Sequence, residues 1–552
     1  MRTKLMAIAG AGVLVTALGS AATAGVTSQG SDPGAAQTAA AATPPVTLTT
    51  GGLVRGTTGR GVDRYSGIPY AAPPLGALRW RAPAPAKSWF GVRDTTRPAA
   101  PCLQVANGKQ LAGSAEDCLY LNVIRPHRPA KLGPKTLRPV MVWLHGGGNA
   151  TGDGAEYDPA RMADHGDVVV VTLNYRLGLF GFFGHPGLAH SGTFGLLDQQ
   201  AALRWVQRNA LFFGGDPGNV TLFGESAGGV DVCANLVSPA ARGLFHRAIL
   251  QSGSCHLGVP TTAAGGGPVY TMRDGAPFAP VAEVRTEGAT LAARIAAGSC
   301  AKAARRLDCL RKLPAADLLS VSSGFGLASG TAALPLDGRE ALRTGRFNRV
   351  PVLSGNTSDE ARFTTMFVEY LTGREIDAAG YRALLRQTFG ADAAAVEKVY
   401  PAAPDPALAF AAMDTDRIFA CPQQETTRAL SRFTRTYAYE FADRTAPTYN
   451  LWLTDLPPGA SHAAELAYLF DLRSGAPYSG LTPVTLTPAQ RRLGDRMIDY
   501  WTGFARSGRP DGVDWPPYTV RTPYVRALST DGDGRIDAAA AHRCAFWTAL
   551  GG

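Results

Sequence analysis

The chain has 552 residues, of which 45% are apolar and 18% charged, with a formal net charge of +10. This is globular composition with ample hydrophobe for a large core, and it excludes a disordered, collagen-like or polytopic membrane chain. The positive balance does not point to nucleic acid, because Arg2 and Lys4 belong to a leader and the other basic residues stand singly rather than in runs.

Arg2 and Lys4 precede an apolar stretch from Leu5 to Leu18 and a small-residue site, Ala22-Thr23-Ala24. That pattern predicts a secretory signal peptide over 1–24, since the stretch is shorter than the ~20 residues of a spanning helix. Residues 25–45, rich in Ala, Gly, Ser, Thr and Pro, predict a flexible lead-in. One domain is expected over 46–552, secreted and without a transmembrane segment. Export makes the eight cysteines readable as bridges. They allow on the order of 100 pairings, and Cys102 with Cys118 and Cys300 with Cys309 are the obvious local loops. For Cys233, on a predicted helix, and Cys255 the choice between a bridge and free buried thiols stays open, with free thiols the default.

Further along, Val140–Leu144 predicts a strand running into glycines, and Val168–Asn174, almost wholly apolar, a strand buried on both faces. Leu197–Asn209 predicts a helix with Leu203 and Val206 on one side and Gln207 and Arg208 on the other. Gly214-Gly215-Asp216-Pro217 predicts a turn before a strand at Val220–Phe223, with a helix from Ala227. Ala248–Gln251, Val350–Ser354 and Thr436–Phe441 are further strands. The stretches from about Ala264 to Pro280 and Gly480 to Thr487 predict loops over the sheet. Strands alternating with helices make an α/β fold with a mostly parallel sheet, in which ligands gather at the carboxyl ends of strands.

Gly224-Glu225-Ser226-Ala227-Gly228-Gly229 fits G-x-S-x-G and stands between a strand and a helix, the context that motif needs. The glycines permit a tight turn that lifts the Ser226 hydroxyl above the sheet. The helix behind it aims N–H groups and its positive dipole end at a reacting oxygen. Upstream, His145-Gly146-Gly147-Gly148 follows a strand and matches a loop that donates backbone N–H groups to an oxyanion. Those N–H groups, with that of Ala227, would meet a tetrahedral intermediate.

A serine nucleophile needs a base. Of nine histidines, the order Ser, acid, His leaves His256 and His462. His246 is at the wrong end of its strand, and His542 lies beside Cys544. Asp359 and Glu360 both follow a strand and could orient the imidazole; spacing does not separate them.

These residues resemble the type-B carboxylesterase/lipase family, which includes the cholinesterases. The resemblance runs from about Gly52 to Trp547. It is most specific at Glu116-Asp117-Cys118-Leu119-Tyr120-Leu121-Asn122, at Asn174-Tyr175-Arg176-Leu177-Gly178, from Gly195 to Gly229, and at Cys544-Ala545-Phe546-Trp547. It implies an α/β-hydrolase fold with loop or helical insertions over the active site. By position it implies a triad of Ser226, Glu360 and His462 and an oxyanion hole of Gly147, Gly148 and Ala227. It also implies bridges Cys102–Cys118, Cys300–Cys309 and Cys421–Cys544 and ion pairs Arg79–Glu116 and Arg176–Asp198. Glu225 resembles a glutamate that steadies the histidine, though an ordinary structural hydrogen bond would explain it equally. Two positions depart from the family pattern: Asn149 replaces a frequent aromatic after the glycine run, and Ala361 replaces a glycine after the acid. The Cys102–Cys118 loop holds no tryptophan to grip a quaternary ammonium, which disfavours choline esters.

No motif requires a metal, nucleotide or other cofactor. Asp531-Gly532-Asp533-Gly534 reads as a polar turn rather than a calcium loop, and His462-Ala463-Ala464-Glu465 lacks the second half of a metal site. The sequence therefore predicts a secreted serine carboxylic ester hydrolase working through an acyl-enzyme. Its partner is a small-molecule or lipid ester, with no nucleic acid. A lipase on long acyl chains or an amidase stays open, with Phe325 or Phe363 near the acyl pocket. A catalytically silent binding protein of the same fold is the alternative from another class, and a complete triad argues against it.

Overall fold

In the computed structural model the described residues are 44–551, apart from 107, 130–135, 258–259, 263–269, 273–276, 297–299, 301–305, 320–325, 448–453 and 473–483. The signal peptide, most of the lead-in, parts of both predicted loops and Phe325 lie outside them. Pro44–Gly552 forms one compact unit.

An 11-stranded sheet organises it. In chain order its strands are β1 (Thr57–Gly59), β2 (Val62–Pro69), β3 (Tyr120–Pro126), β4 (Arg138–Leu144), β5 (Val169–Leu173), β6 (Gly215–Glu225), β7 (Arg247–Gln251), β8 (Val352–Thr357), β9 (Thr436–Phe441), β10 (Val525–Leu528) and β11 (Gly534–Ile536). The spatial order is β11-β10-β9-β8-β7-β6-β4-β5-β3-β2-β1. The run from β10 to β5 is parallel, and antiparallel strands flank it on both sides. This is an α/β-hydrolase sheet. Four helices bear on the site that the sheet carries: α1 (Phe194–Asn209), α2 (Ala227–Val237), α3 (Arg362–Thr372) and α4 (Pro488–Ser507).

Every residue of β4 is buried, and the period of two in a strand decides where each side chain goes. Val140, Val142 and Leu144 join a cluster with Leu203 and Val206 of α1 and Val232 and Leu236 of α2. Met141 and Trp143 face the other way, into a cluster with Leu493, Met497, Trp501 and Phe504 of α4. Burying each such side chain contributes about 1.5–3 kcal/mol, so α2 is clamped to the sheet behind its first turn. The helices between β8 and β9 carry a core of their own, including Met366, Tyr381, Leu385 and Val396.

Element boundaries differ from the sequence expectation in two places with clear causes. The strand predicted from Val350 begins at Val352, since Pro351 has no N–H to donate. Pairing to β4 starts already at Gly215, breaks, and resumes at Val220. The predicted turn fills that break, with Gly218 N–H donating to Asp216 Oδ1 at 2.8 Å.

Disulfides join Cys102–Cys118, Cys300–Cys309 and Cys421–Cys544. Cys233 and Cys255, left open between bridge and free thiols, form a fourth bridge, so the free-thiol default does not hold. The chain leaves α2, runs through β7 and folds back, which brings together residues 22 positions apart. Arg176 meets Asp198 in a buried two-point pair at 2.7 Å, and Arg79 meets Glu116.

Candidate active site

Strand β6 ends at Glu225 and α2 starts at Ala227, so the chain must reverse at Ser226, whose φ is 57° and ψ −125°. Such angles strain a residue bearing Cβ, and the surroundings hold it there. Ser226 N–H donates to Gln251 O at the end of β7 at 2.9 Å. A Cβ at Gly228 would lie 2.1 Å from Leu144 O, and one at Gly224 would lie 2.6 Å from Gly228 O. Only glycine lets the elbow close onto β4. The Ser226 side chain makes no cap hydrogen bond to α2, so helix capping does not hold its hydroxyl down.

The glycine loop follows directly from the end of β4. Gly147 and Gly148 have φ of 102° and 64°, and Asn149 continues at 58°. Ala150 and Thr151 N–H groups donate back to Gly147 O, closing a tight turn. A Cβ on Gly146 would stand 3.1 Å from Ser226 Cβ and 2.8 Å from Glu225 Oε2, so the loop passes immediately over the elbow. His145 is held away from this surface: it stacks on Tyr175 with ring centroids 4.4 Å apart, and its Nδ1 donates to Gly146 O at 2.9 Å. Burial lowers its imidazole to about 4, so it stays neutral.

Glu360 and His462 lie 102 residues apart, yet His462 Nδ1 is 2.6 Å from Glu360 Oε2. Thr357 N–H fixes the other Glu360 oxygen at 2.8 Å, and His462 N–H donates to Glu360 O. Asp359, which spacing left equal to Glu360, instead pairs with Arg362 and Arg444 and accepts from Ala460 N–H. His256, the other histidine left open, bonds Thr426 Oγ1 at 2.8 Å, and burial with the nearby Arg339 charge lowers it to about 3. Ala361 fits the turn after Glu360, its N–H donating to Thr415 Oγ1.

The free edge of the His462 ring turns toward the elbow: Nε2 is 3.2 Å from Glu225 Oε1. Burial alone would lower this imidazole, but the Glu225 and Glu360 charges outweigh it and raise it to about 9. Burial chiefly pushes Glu225 up to about 8 against the pull of His462. Glu465 is a third buried carboxyl, raised to about 7 by burial and then by the Glu360 charge; it accepts from Gln251 Nε2 at 3.0 Å. Its place in this cluster was missed at the sequence level, although its i+3 spacing from His462 was visible. Phe363 and Phe419 rings flank His462 at 5.8 and 5.1 Å between centroids. A cleft of about 840 Å³ sits at the opposite edge of the sheet, beside His246 and Pro351 where β7 and β8 begin. In a parallel sheet the carboxyl ends are the reactive edge, and there the glycine loop, the elbow and Glu360 follow β4, β6 and β8. Among the described residues no His/Cys/Asp/Glu group could hold a metal ion, and no helix is long and apolar enough to cross a membrane.

The fold and the strand-to-helix elbow place the chain among the α/β-hydrolases. Residues 42–547 match the model of the carboxylesterase family. The chain is 35% identical to the para-nitrobenzyl esterase of Bacillus subtilis (strain 168), over 87% of this chain and 94% of that one. It is 33% identical to a cocaine esterase of Homo sapiens, over 88% and 87%. A solved thermophilic pNB esterase superposes with TM-score 0.72 at 30% identity, covering 91% of this chain and all of that one. The chain belongs to the carboxylesterase family. It is a serine carboxylic ester hydrolase.

Proposed function

We propose that Ser226, His462 and Glu360 form the catalytic triad, with Gly147, Gly148 and Ala227 as oxyanion donors. His462 Nε2 takes the Ser226 proton as Oγ attacks the ester carbonyl, and the oxyanion settles on the three N–H groups. The imidazolium then protonates the leaving alcohol, and water attacks the acyl-enzyme by the same route to release the acid. Glu360 holds the Nδ1–H tautomer, which leaves Nε2 as the base. The observation that carries this reading is the 2.6 Å Glu360–His462 contact formed across 102 residues, beside an elbow whose glycines have no room for a Cβ.

Small alkyl or aryl esters are the substrates we favour, because aromatic rings flank His462 and relatives are named for p-nitrobenzyl and cocaine esters. Secretion after cleavage near Ala24 is supported by four disulfides among the described residues, which suit an oxidising compartment. Replacing Ser226 with Ala tests the mechanism. Hydrolysis of p-nitrophenyl butyrate is expected to fall on the order of 10⁴-fold or more with the fold intact. Turnover retained by that variant would refute the triad.

A further inference from the structure

Three consecutive residues with positive φ, Gly147 to Asn149, need something to hold them, and the structure shows what does. Asn149 is 6% exposed; its carbonyl accepts from Gly178 N–H at 2.7 Å, and its Nδ2 donates to Asp231 Oδ1 at 3.1 Å. Asp231 is wholly buried on α2, five residues after Ser226. Its other oxygen accepts from Gln199 Nε2 of α1 at 2.6 Å. Gln199 Oε1 in turn accepts from Asn235 Nδ2, which also bonds Asp231 O. The partners of this buried carboxyl are two amides and the nearby Tyr175 hydroxyl rather than a cation. An amide fixed on α1 gives direction to the bond, whereas a flexible cationic side chain would give chiefly charge.

We infer that Asp231 is a positioning residue. Through Asn149 it ties the loop carrying the Gly147 and Gly148 N–H groups to the same helix that carries Ser226 at its N-terminus. Nucleophile and oxyanion donors are thereby referenced to one rigid body, α2, which is itself clamped between β6 and α1. At the far end of the loop the Tyr175 hydroxyl fixes His145 O at 2.8 Å, so the loop is pinned on both sides of its donors. Burial raises the Asp231 carboxyl to about 7 while Asn149, Gln199 and Tyr175 oppose the rise, which accords with a side chain kept inside for its geometry. The inference rests on the oxyanion role proposed above and adds to it the group that sets the donors' place.

The test is a side-chain exchange, because asparagine and aspartate both tolerate left-handed backbone and alanine at 149 would confound strain with contact loss. Asn149→Asp alone sets two carboxyls face to face and is expected to lower kcat by about 100-fold, the scale of a roughly 1 Å misplacement, with KM for p-nitrophenyl butyrate nearly unchanged. Adding Asp231→Asn restores one donor and one acceptor in reversed sense, with an oxygen left for Gln199, and is expected to recover kcat to within about 10-fold of wild type. Asp231→Ala removes the anchor without adding charge, and stands in if the first variant does not fold. Affinity for a trifluoromethyl ketone, which needs the oxyanion donors, should fall in step with kcat/KM across the variants. Folded variants with wild-type kcat, losses confined to KM, or no recovery in the exchanged pair would overturn the inference. Failure of the triad itself would show separately, as an active Ser226→Ala or an inactive wild type.

Discussion

The contact between His462 Nε2 and Glu225 Oε1 at 3.2 Å governs how activity should respond to pH. Two unit charges at that distance attract by about 5 kcal/mol at an effective dielectric of ~20. Burial cancels part of that, because the same enclosure that strengthens the attraction penalises both charges. Glu225 is itself raised to about 8, so near neutral pH its charge acts only in part. His462 ends at about 9 rather than 6.5, with Glu225 first among the charges that lift it. Replacing Glu225 with Gln keeps the size and a hydrogen-bonding oxygen but removes the charge. The sign is fixed: without the carboxylate, the imidazolium loses stabilisation and deprotonates at lower pH. The acid limb of kcat/KM, which reports the free enzyme, should therefore move down by about 1–2 pH units, or about 1.4–2.7 kcal/mol. The assay is p-nitrophenyl butyrate hydrolysis from about pH 5 to about pH 10. A limb that stays in place or moves up would refute the claim that this charge holds the proton on His462, whatever happens to the plateau rate.

Glu360→Gln can present an amide N–H to Nδ1 and favour the wrong tautomer, so kcat should drop on the order of 10⁴-fold; a loss under tenfold would disprove the orienting role. Asp198→Ala leaves Arg176, 3% exposed, without its carboxylate, and denaturant unfolding should show a loss of about 3–5 kcal/mol. An unchanged midpoint would mean that the pair contributes nothing. His542 sits between Asp416 and Glu440 at 2.6 Å each. Burial opposes its charge, yet the two carboxylates raise it to about 10. Its stabilisation is full below the unfolded value near 6.5 and is lost as pH rises through about 10. Thermal melts of His542→Ala should therefore fall furthest behind wild type in acid, and a gap that widens with pH would contradict this.

Much of the site was legible in the sequence because its chemistry depends on local geometry. A strand, a sharp turn and a helix are contiguous, so Gly224 to Gly229 points both to the proposed nucleophile and to the reason for its glycines. His145 to Gly148 did the same for the donor loop. Long-range pairings were less visible. Glu360 was preferred to Asp359 through family position, and the physical reason appears only in three dimensions: Arg362, Arg444 and Ala460 occupy Asp359 while Thr357 N–H aims Glu360 at the ring.

The sequence by itself determined the α/β alternation, the elbow and the succession of strands along the chain, since periodicity and turn chemistry act over a few residues. Tertiary structure decided what converges: the Cys233–Cys255 bridge, the Gln251–Glu465 hydrogen bond and the Asn149–Asp231 tie. Those contacts join residues 22 to 214 positions apart. No local preference encodes them. They exist because burial packs α1, α2 and α4 onto a sheet whose strands are adjacent in space but distant in the chain.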